Sequence, residues 1–139
     1  MTDRAETITR KAVITGAEPQ LFVADIRKAC EFFIRKLGFE VVFMHGDPPF
    51  YGQVKRDGAR LNLRCLEQPV IPADLRAREQ LLSASLTVAS AKEIEALFTE
   101  FDAADVAFFQ GLERKSWGAR DFIASDPDGN LLLFTGPEK

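Results

Sequence analysis

Val23-Ala24-Asp25-Ile26-Arg27 returns as Val88-Ala89-Ser90-Ala91-Lys92, 65 residues later, and Phe33 and Val41 return at the same spacing as Phe98 and Val106. Asp57-Gly58 is echoed by Asp128-Gly129, and Leu61-Asn62-Leu63 by Leu132-Leu133-Phe134, now 71 residues apart. The six extra residues fit a longer loop in the second half. A repeat in this register describes two copies of one supersecondary unit. Neither copy can bury the apolar face of a sheet alone, so the two must pack together, and the trough between them is the natural place for a ligand.

Inside the quoted stretch, Asp25 and Ser90 each end a strand and cap a helix. Before Asp25, Ala17 to Ala24 alternates as a strand, with Leu21 and Val23 on one face and Glu18, Gln20 and Phe22 on the other. After it, Ile26, Ala29, Phe33 and Leu37 form a helical stripe with Cys30 and Ile34 beside it, and Gly38 stops the helix. Phe39 to Met44 is β-prone, and Asp47-Pro48-Pro49 reads as a turn or loop because prolines lack ladder donors. Phe50 to Lys55 and Arg60 to Leu66 are strands joined by the hairpin signal Arg56-Asp57-Gly58-Ala59. Glu67 to Glu79 is linker, with a short helical turn at Ala73 to Arg78. The second half repeats the order. Leu81 to Ala89 is a strand with Leu82, Ala84, Leu86 and Val88 on one face and Ser83, Ser85 and Thr87 on the other. A helix to about Phe101 carries Ile94, Leu97, Phe98 and Phe101 inward. Val106 to Phe109 is a short strand, Gly111 to Ser116 a flexible connection, and Trp117 to Ser125 and Leu131 to Thr135 are strands about the tight turn Asp126-Pro127-Asp128-Gly129.

The expected fold is α+β: two tandem βαβββ modules, about residues 17–66 and 81–136, joined by a linker at about 67–80, in a single domain over residues 1–139. They make a concave mixed sheet with the helices on its outer face. The hollow then receives Glu18, Gln20, Phe22, Arg60, Asn62, Arg64, Ser83, Ser85, Thr87, Leu131 and Leu133. With 46% hydrophobic residues and 12 Phe, a chain of 139 residues builds a real core. A net charge of −3 and pI near 5.2 give no basic footprint for nucleic acid. No apolar run approaches the roughly 20 residues that span a bilayer. Met1 to Lys11 is polar, with neither a signal-peptide nor a transit-peptide pattern, and Met1 to Ala12 reads as a loose lead-in. Cys30 and Cys65 read as small core residues of a reducing compartment, since one pair makes neither a disulfide framework nor a cysteine zinc site. The expectation is a soluble cytoplasmic protein.

Asp25-Ile26-Arg27-Lys28-Ala29 leading to Phe32-Phe33 and Leu37-Gly38-Phe39, with Phe122 before Asp126-Pro127-Asp128-Gly129-Asn130, resembles the vicinal-oxygen-chelate superfamily. That superfamily comprises glyoxalase I, extradiol dioxygenases, fosfomycin-resistance enzymes and bleomycin-resistance proteins. The resemblance covers residues 17–136. Metal-dependent members project His, Glu or Gln from four equivalent strand positions, which fall here on Glu18, Asn62, Ser83 and Leu133. A catalytic divalent site wants about three N/O/S ligands, which this set does not supply, and the single histidine, His45, is not at a ligand position. Trp117-Gly118 with Arg120-Asp121-Phe122, and Asp47-Pro48-Pro49-Phe50-Tyr51-Gly52 with Val54, Arg56-Asp57-Gly58 and Leu61, resemble the bleomycin-resistance branch. The resemblance implies a homodimer whose partner completes the trough and whose aromatic side chains stack on a planar ligand.

The expected ligand-binding residues are therefore Trp117, Phe50, Tyr51, Asn62, Arg64, Ser83, Ser85 and Glu18, with no catalytic residue, no metal and no cofactor. Each has a plainer reading. Trp117 is a stacking platform or a core or interface residue. Phe50 and Tyr51 overhang the trough or pack their loop down. Glu18 meets a cationic ligand, acts as a base, or pairs with Arg60 or Arg64. His45 is a surface residue or a proton-transfer group. Two classes of function compete: a non-catalytic, metal-independent binder of a planar or amphipathic small molecule, and a metal-dependent or metal-free lyase, isomerase or dioxygenase of the same fold.

Overall fold

The two caps start their helices in the same way. The Asp25 carboxylate accepts from Lys28 N at 3.0 Å, and Ser90 Oγ from Glu93 N at 3.2 Å. In the computed structural model, which describes residues 11–139, the elements in chain order are β1 (Gln20–Val23), α1 (Ile26–Leu37), β2 (Glu40–Gly46), β3 (Pro49–Arg56), β4 (Ala59–Cys65), α2 (Ala73–Arg78), β5 (Leu82–Thr87), α3 (Ala91–Ala103), β6 (Ala107–Arg114), β7 (Ala119–Ser125) and β8 (Leu131–Pro137). Of the lead-in expected at residues 1–12, all but Lys11 and Ala12 lie outside the described residues.

Each module closes its own four-stranded mixed sheet, in the orders β1-β4-β3-β2 and β5-β8-β7-β6. In both, the first strand runs parallel to the fourth. Gln20 pairs with Asn62 in one sheet and Ser85 with Leu133 in the other, so the structural repeat follows the spacing of the sequence repeat. Ile26, Ala29, Cys30, Phe33 and Leu37 are the buried stripe of α1, whereas Ile34 turns to solvent. Gly38 ends α1 at φ 71°, a left-handed geometry that a side chain resists. Burial pushes the Cys30 thiol up, which makes it a packing group rather than a nucleophile.

One core unites the two modules. Phe33 and Phe39 belong to the same cluster as Phe101, Phe122 and Phe134. Arg56, at the end of β3, donates to Leu37 O at 2.8 Å and forks onto Glu100 of α3 at 2.6 and 2.9 Å, with its guanidinium 5.9 Å from the Phe101 ring centroid. Lys36 Nζ reaches Ala104 O at 2.8 Å. At the other side the β7–β8 turn docks on β1: Asn130 Nδ2 donates to Phe22 O at 3.0 Å, and Asp128 Oδ1 accepts from Ala24 N at 3.0 Å.

Asp126 organises that turn, accepting from Asp128 N, Asn130 N and Asn130 Nδ2. Burial pushes its carboxyl up to about 6, against the opposing pull of the Asn130 hydrogen bonds. The folded state therefore keeps a proton that the unfolded chain has lost between about pH 4 and 6. The stability contribution is complete below the unfolded value and is lost as pH rises through the folded one, a decline on the order of 3 kcal/mol. Melting temperatures measured from pH 4 to 7 should fall along this window in the wild type. Asp126→Asn should flatten the slope, whatever its absolute stability.

Strands β1, β3, β6 and β5 each depart from expectation. β1 starts at Gln20, not Ala17, because Pro19 contributes only its carbonyl, which accepts from Asn62 N at 2.9 Å. Pro49 is no loop residue but opens β3 opposite Gly46, after a cis Asp47–Pro48 bond. β6 runs through Gly111 to Arg114 where a flexible connection was expected. Register shifts at Phe108/Gln110 and Gln110/Glu113 absorb its irregular pattern, and its polarity is that of an edge strand. Finally, a register shift between Leu82 and Ala84 takes Leu82 off the core face.

Candidate functional site

Strand register lays out the open face of the first sheet in rows. Phe22, Arg64, Tyr51 and His45 follow one another across β1, β4, β3 and β2. The next row is Gln20, Asn62, Gln53 and Phe43. Alternation sends the intervening Leu21, Leu61, Leu63 and Val54 into the core.

The second row is a closed amide network. Buried Gln53 donates through Nε2 to Asn62 Oδ1 at 2.8 Å and to Glu18 Oε1 at 3.1 Å, and its Oε1 accepts from Arg60 Nη1 at 3.0 Å. Glu18 thus meets Gln53 rather than pairing with Arg60 or Arg64 as expected. Between the rows, Gln20 Nε2 donates to the Tyr51 hydroxyl at 3.3 Å, and the Phe43 and Tyr51 rings lie 5.8 Å apart. Phe50 is 54% exposed and meets His45 edge-on at 5.4 Å.

The second sheet differs in character. Its corresponding row is Ser85, Leu133, Ile123 and Gln110. Ile123 and Leu131 are buried there, apart from the main core cluster. The one buried carboxylate of this face, Asp121, accepts from Gln110 Nε2 at 2.8 Å and lies 3.7 Å from Lys115 Nζ. Trp117 stands in the turn before β7, not in the strand, and is 74% exposed. Ser83 is committed elsewhere: its hydroxyl donates to Asn130 Oδ1 at 2.9 Å and accepts from Arg76 of α2 at 2.8 Å. Where the modules meet, a groove of about 710 Å³ runs from Pro19, Arg60 and Leu61 to Ser85, Thr87 and Leu97.

Of the expected site residues, Glu18, Tyr51, Asn62 and Arg64 share the first sheet's open face. Ser85 is on the second sheet and lines the groove, which those four do not, while Phe50 is exposed near the start of β3 and Trp117 in the turn before β7. Gln53, Phe43 and Asp121 were missed. The alternation Tyr51-x-Gln53-x-Lys55 would have placed Gln53 on the face of Asn62. Register shifts hid Phe43 and Gln110.

The donors do not fit a catalytic divalent ion. Register corrects the expected set: Gln20, not Glu18, lies beside Asn62, and Ser85, not Ser83, beside Leu133, so the four aligned side chains are two amides, a hydroxyl and a hydrocarbon. Glu18, two residues ahead, is the one carboxylate near them. Among the described residues no three His, Cys, Asp or Glu cluster as metal ligands. No described helix is long and apolar enough to cross a membrane.

The family model of the Glyoxalase/Bleomycin resistance protein/Dioxygenase superfamily matches residues 14–134. Among solved structures, a glyoxalase/bleomycin resistance protein/dioxygenase from Alicyclobacillus acidocaldarius superposes with a TM-score of 0.70 at 19% identity, over 88% of this chain and 91% of that one. The bleomycin-binding protein of bleomycin-producing Streptomyces verticillus, solved with copper(II)-bleomycin, gives 0.67 at 24% identity, over 92% and 100%. TioX from Micromonospora sp. ML1 gives 0.64 at 21%, over 88% and 95%. At these identities the likeness is one of fold. No curated protein matches the chain.

Proposed function

We propose, since this chain belongs to the Glyoxalase/Bleomycin resistance protein/Dioxygenase superfamily, that it is a metal-independent binding protein that sequesters a planar or amphipathic small molecule. The observation that carries this reading is the make-up of the first sheet's open face. Where a metal enzyme needs a trio of ligating side chains, this face carries the Gln53–Asn62–Glu18 network, flanked by the aromatic row of Phe22 and Tyr51. An amide bonded to its amide, carboxylate and guanidinium neighbours leaves an ordered polar floor, and the rings beside it offer stacking area at low entropic cost.

The ligand-binding residues in this reading are Tyr51, Asn62, Arg64 and Glu18 on one sheet and Ser85 on the other, with Phe50, Ser83 and Trp117 at the margins. The protein works as a cytoplasmic homodimer whose partner completes the cleft. Exposed Val42, Phe43, Met44 and Phe50 on and beside edge strand β2 support that arrangement, because such patches mark contact surfaces. Two solved bleomycin-binding proteins of this fold were determined with bleomycin or its copper(II) form.

Trp117 is the only tryptophan, so its fluorescence is an unambiguous reporter. Titration with a panel of planar aromatic compounds should quench it, with the same midpoint whether or not EDTA is present. Trp117→Ala should weaken the best binder by roughly three- to tenfold, as loss of one stacking contact implies. Chelator-sensitive turnover, or one metal ion retained per chain, would transfer the protein to the enzyme class. Turnover without metal that Glu18→Gln or His45→Gln abolishes would assign a metal-free enzyme instead.

A further inference from the structure

We infer that the open face of the first sheet selects a planar aromatic anion, its acidic group held between the Arg64 guanidinium and the Tyr51 hydroxyl. This rests on the small-molecule reading above and names the ligand's class. Arg64 is exposed on β4, and among the described residues no carboxylate pairs with it. Among the described residues, the one side-chain partner of Arg60 is the neutral Gln53 Oε1. Lys55 and Glu40, at 3.3 Å, cancel each other. Among the described residues, the carboxylate set beside these two guanidiniums is Glu18, which shares the Gln53 amide with Arg60 and is already bonded to it. The face is locally positive on a chain whose net charge is −3.

The flanking groups suit an aromatic anion in particular. Register puts Phe22 and Tyr51 on either side of Arg64, on strands roughly 4.8 Å apart. Both rings are half-buried and therefore held in place, and Phe43 extends the aromatic surface beyond Tyr51. Gln20 already donates to the Tyr51 oxygen, so the phenol's own O–H is left to donate outward. A guanidinium fork and an O–H beside aromatic rings match a carboxylate or sulfonate on a flat scaffold. The face repels an ammonium-bearing analogue of the same shape.

The test is calorimetry of the full chain with three probes of one shape: 2-naphthoate, neutral 2-naphthamide and cationic 2-naphthylmethylammonium. Naphthoate should bind roughly tenfold or more tightly than the amide at low salt, as a charge-assisted hydrogen bond implies. The ammonium probe should bind more weakly than the amide. Arg64→Gln should erase the preference while moving the amide's affinity by less than roughly twofold. Tyr51→Phe should lower the naphthoate-to-amide ratio by roughly threefold. Arg27→Gln, which removes one positive charge from α1, should change neither. Equal affinity for all three probes, or an Arg64→Gln protein that still prefers naphthoate, would overturn the anion and leave small-molecule binding standing. Binding of none of the three would also overturn it, and the Trp117 titration judges the broader reading separately. Naphthoate affinity that falls as protein concentration rises would show a second copy occupying the face, and would overturn it likewise.

Discussion

Phe101→Ala is expected to lower the unfolding free energy by roughly 3–5 kcal/mol and the melting temperature by roughly 10–20 °C. The ring is fully buried and touches both halves of the molecule. It packs against Phe134 and Phe122 at 5.1 and 5.8 Å, and the Arg56 guanidinium that reaches across from β3 lies over its face. Removing it deletes the transfer energy of a large aromatic side chain and opens a cavity at the junction of the modules. It also strips the apolar cover from the Arg56–Glu100 pair. The neighbours on α3 and β8 are backbone-anchored, so the hole has little means of collapse. Urea unfolding provides the measurement, with a midpoint that falls and a slope that stays constant. A loss under about 1 kcal/mol would show that the two modules do not share one core.

Asn130→Ala should cost about as much through a different mechanism, on the order of 3 kcal/mol, because it orphans several buried polar groups at once. Asn130 is buried at the end of the β7–β8 turn. Its Nδ2 bonds Phe22 O at 3.0 Å and Asp126 Oδ2 at 2.9 Å, and its Oδ1 accepts from Ser83 Oγ. Alanine leaves the Phe22 carbonyl, one oxygen of the Asp126 carboxylate and the Ser83 hydroxyl without those partners. Because Phe22 belongs to the proposed binding row, the same change should weaken naphthoate by several fold even where the protein remains folded. A double-mutant cycle with Ser83→Ala separates the parts: coupling above about 0.5 kcal/mol marks a shared network, and strict additivity rules one out.

Local signals carried much of this structure. Asp25 and Ser90 needed no tertiary information to be recognised as caps, because the helix N-terminus demands an acceptor there. Ile26, Ala29, Phe33 and Leu37 declared the buried side of α1 by spacing alone. The short helix at Ala73 to Arg78 was visible inside a proline-bearing linker. The site was legible in part. Asn62 and Arg64 were placed on the open face by strand alternation. Alternation fails wherever a strand slips by one residue, and β2, β5 and β6 each do so. The slip in β5 lies between Leu82 and Ala84. Leu82 leaves the core face there, and Ser83 takes Asn130 as its partner. In β6 the slips turned a polar edge strand into an apparent loop.

What the sequence determined by itself is the repeated βαβββ plan, since periodicity, caps and turn residues act through neighbours in the chain. What only the tertiary structure decided is who meets whom across it: Gln53 taking Glu18 and Asn62, Asn130 reaching back to Phe22, Arg56 crossing to Glu100, and Arg64 left without a carboxylate. Those contacts join residues far apart along the chain. Their selection depends on strand register and on the angle at which two separately folded sheets share one core, and no local pattern encodes either.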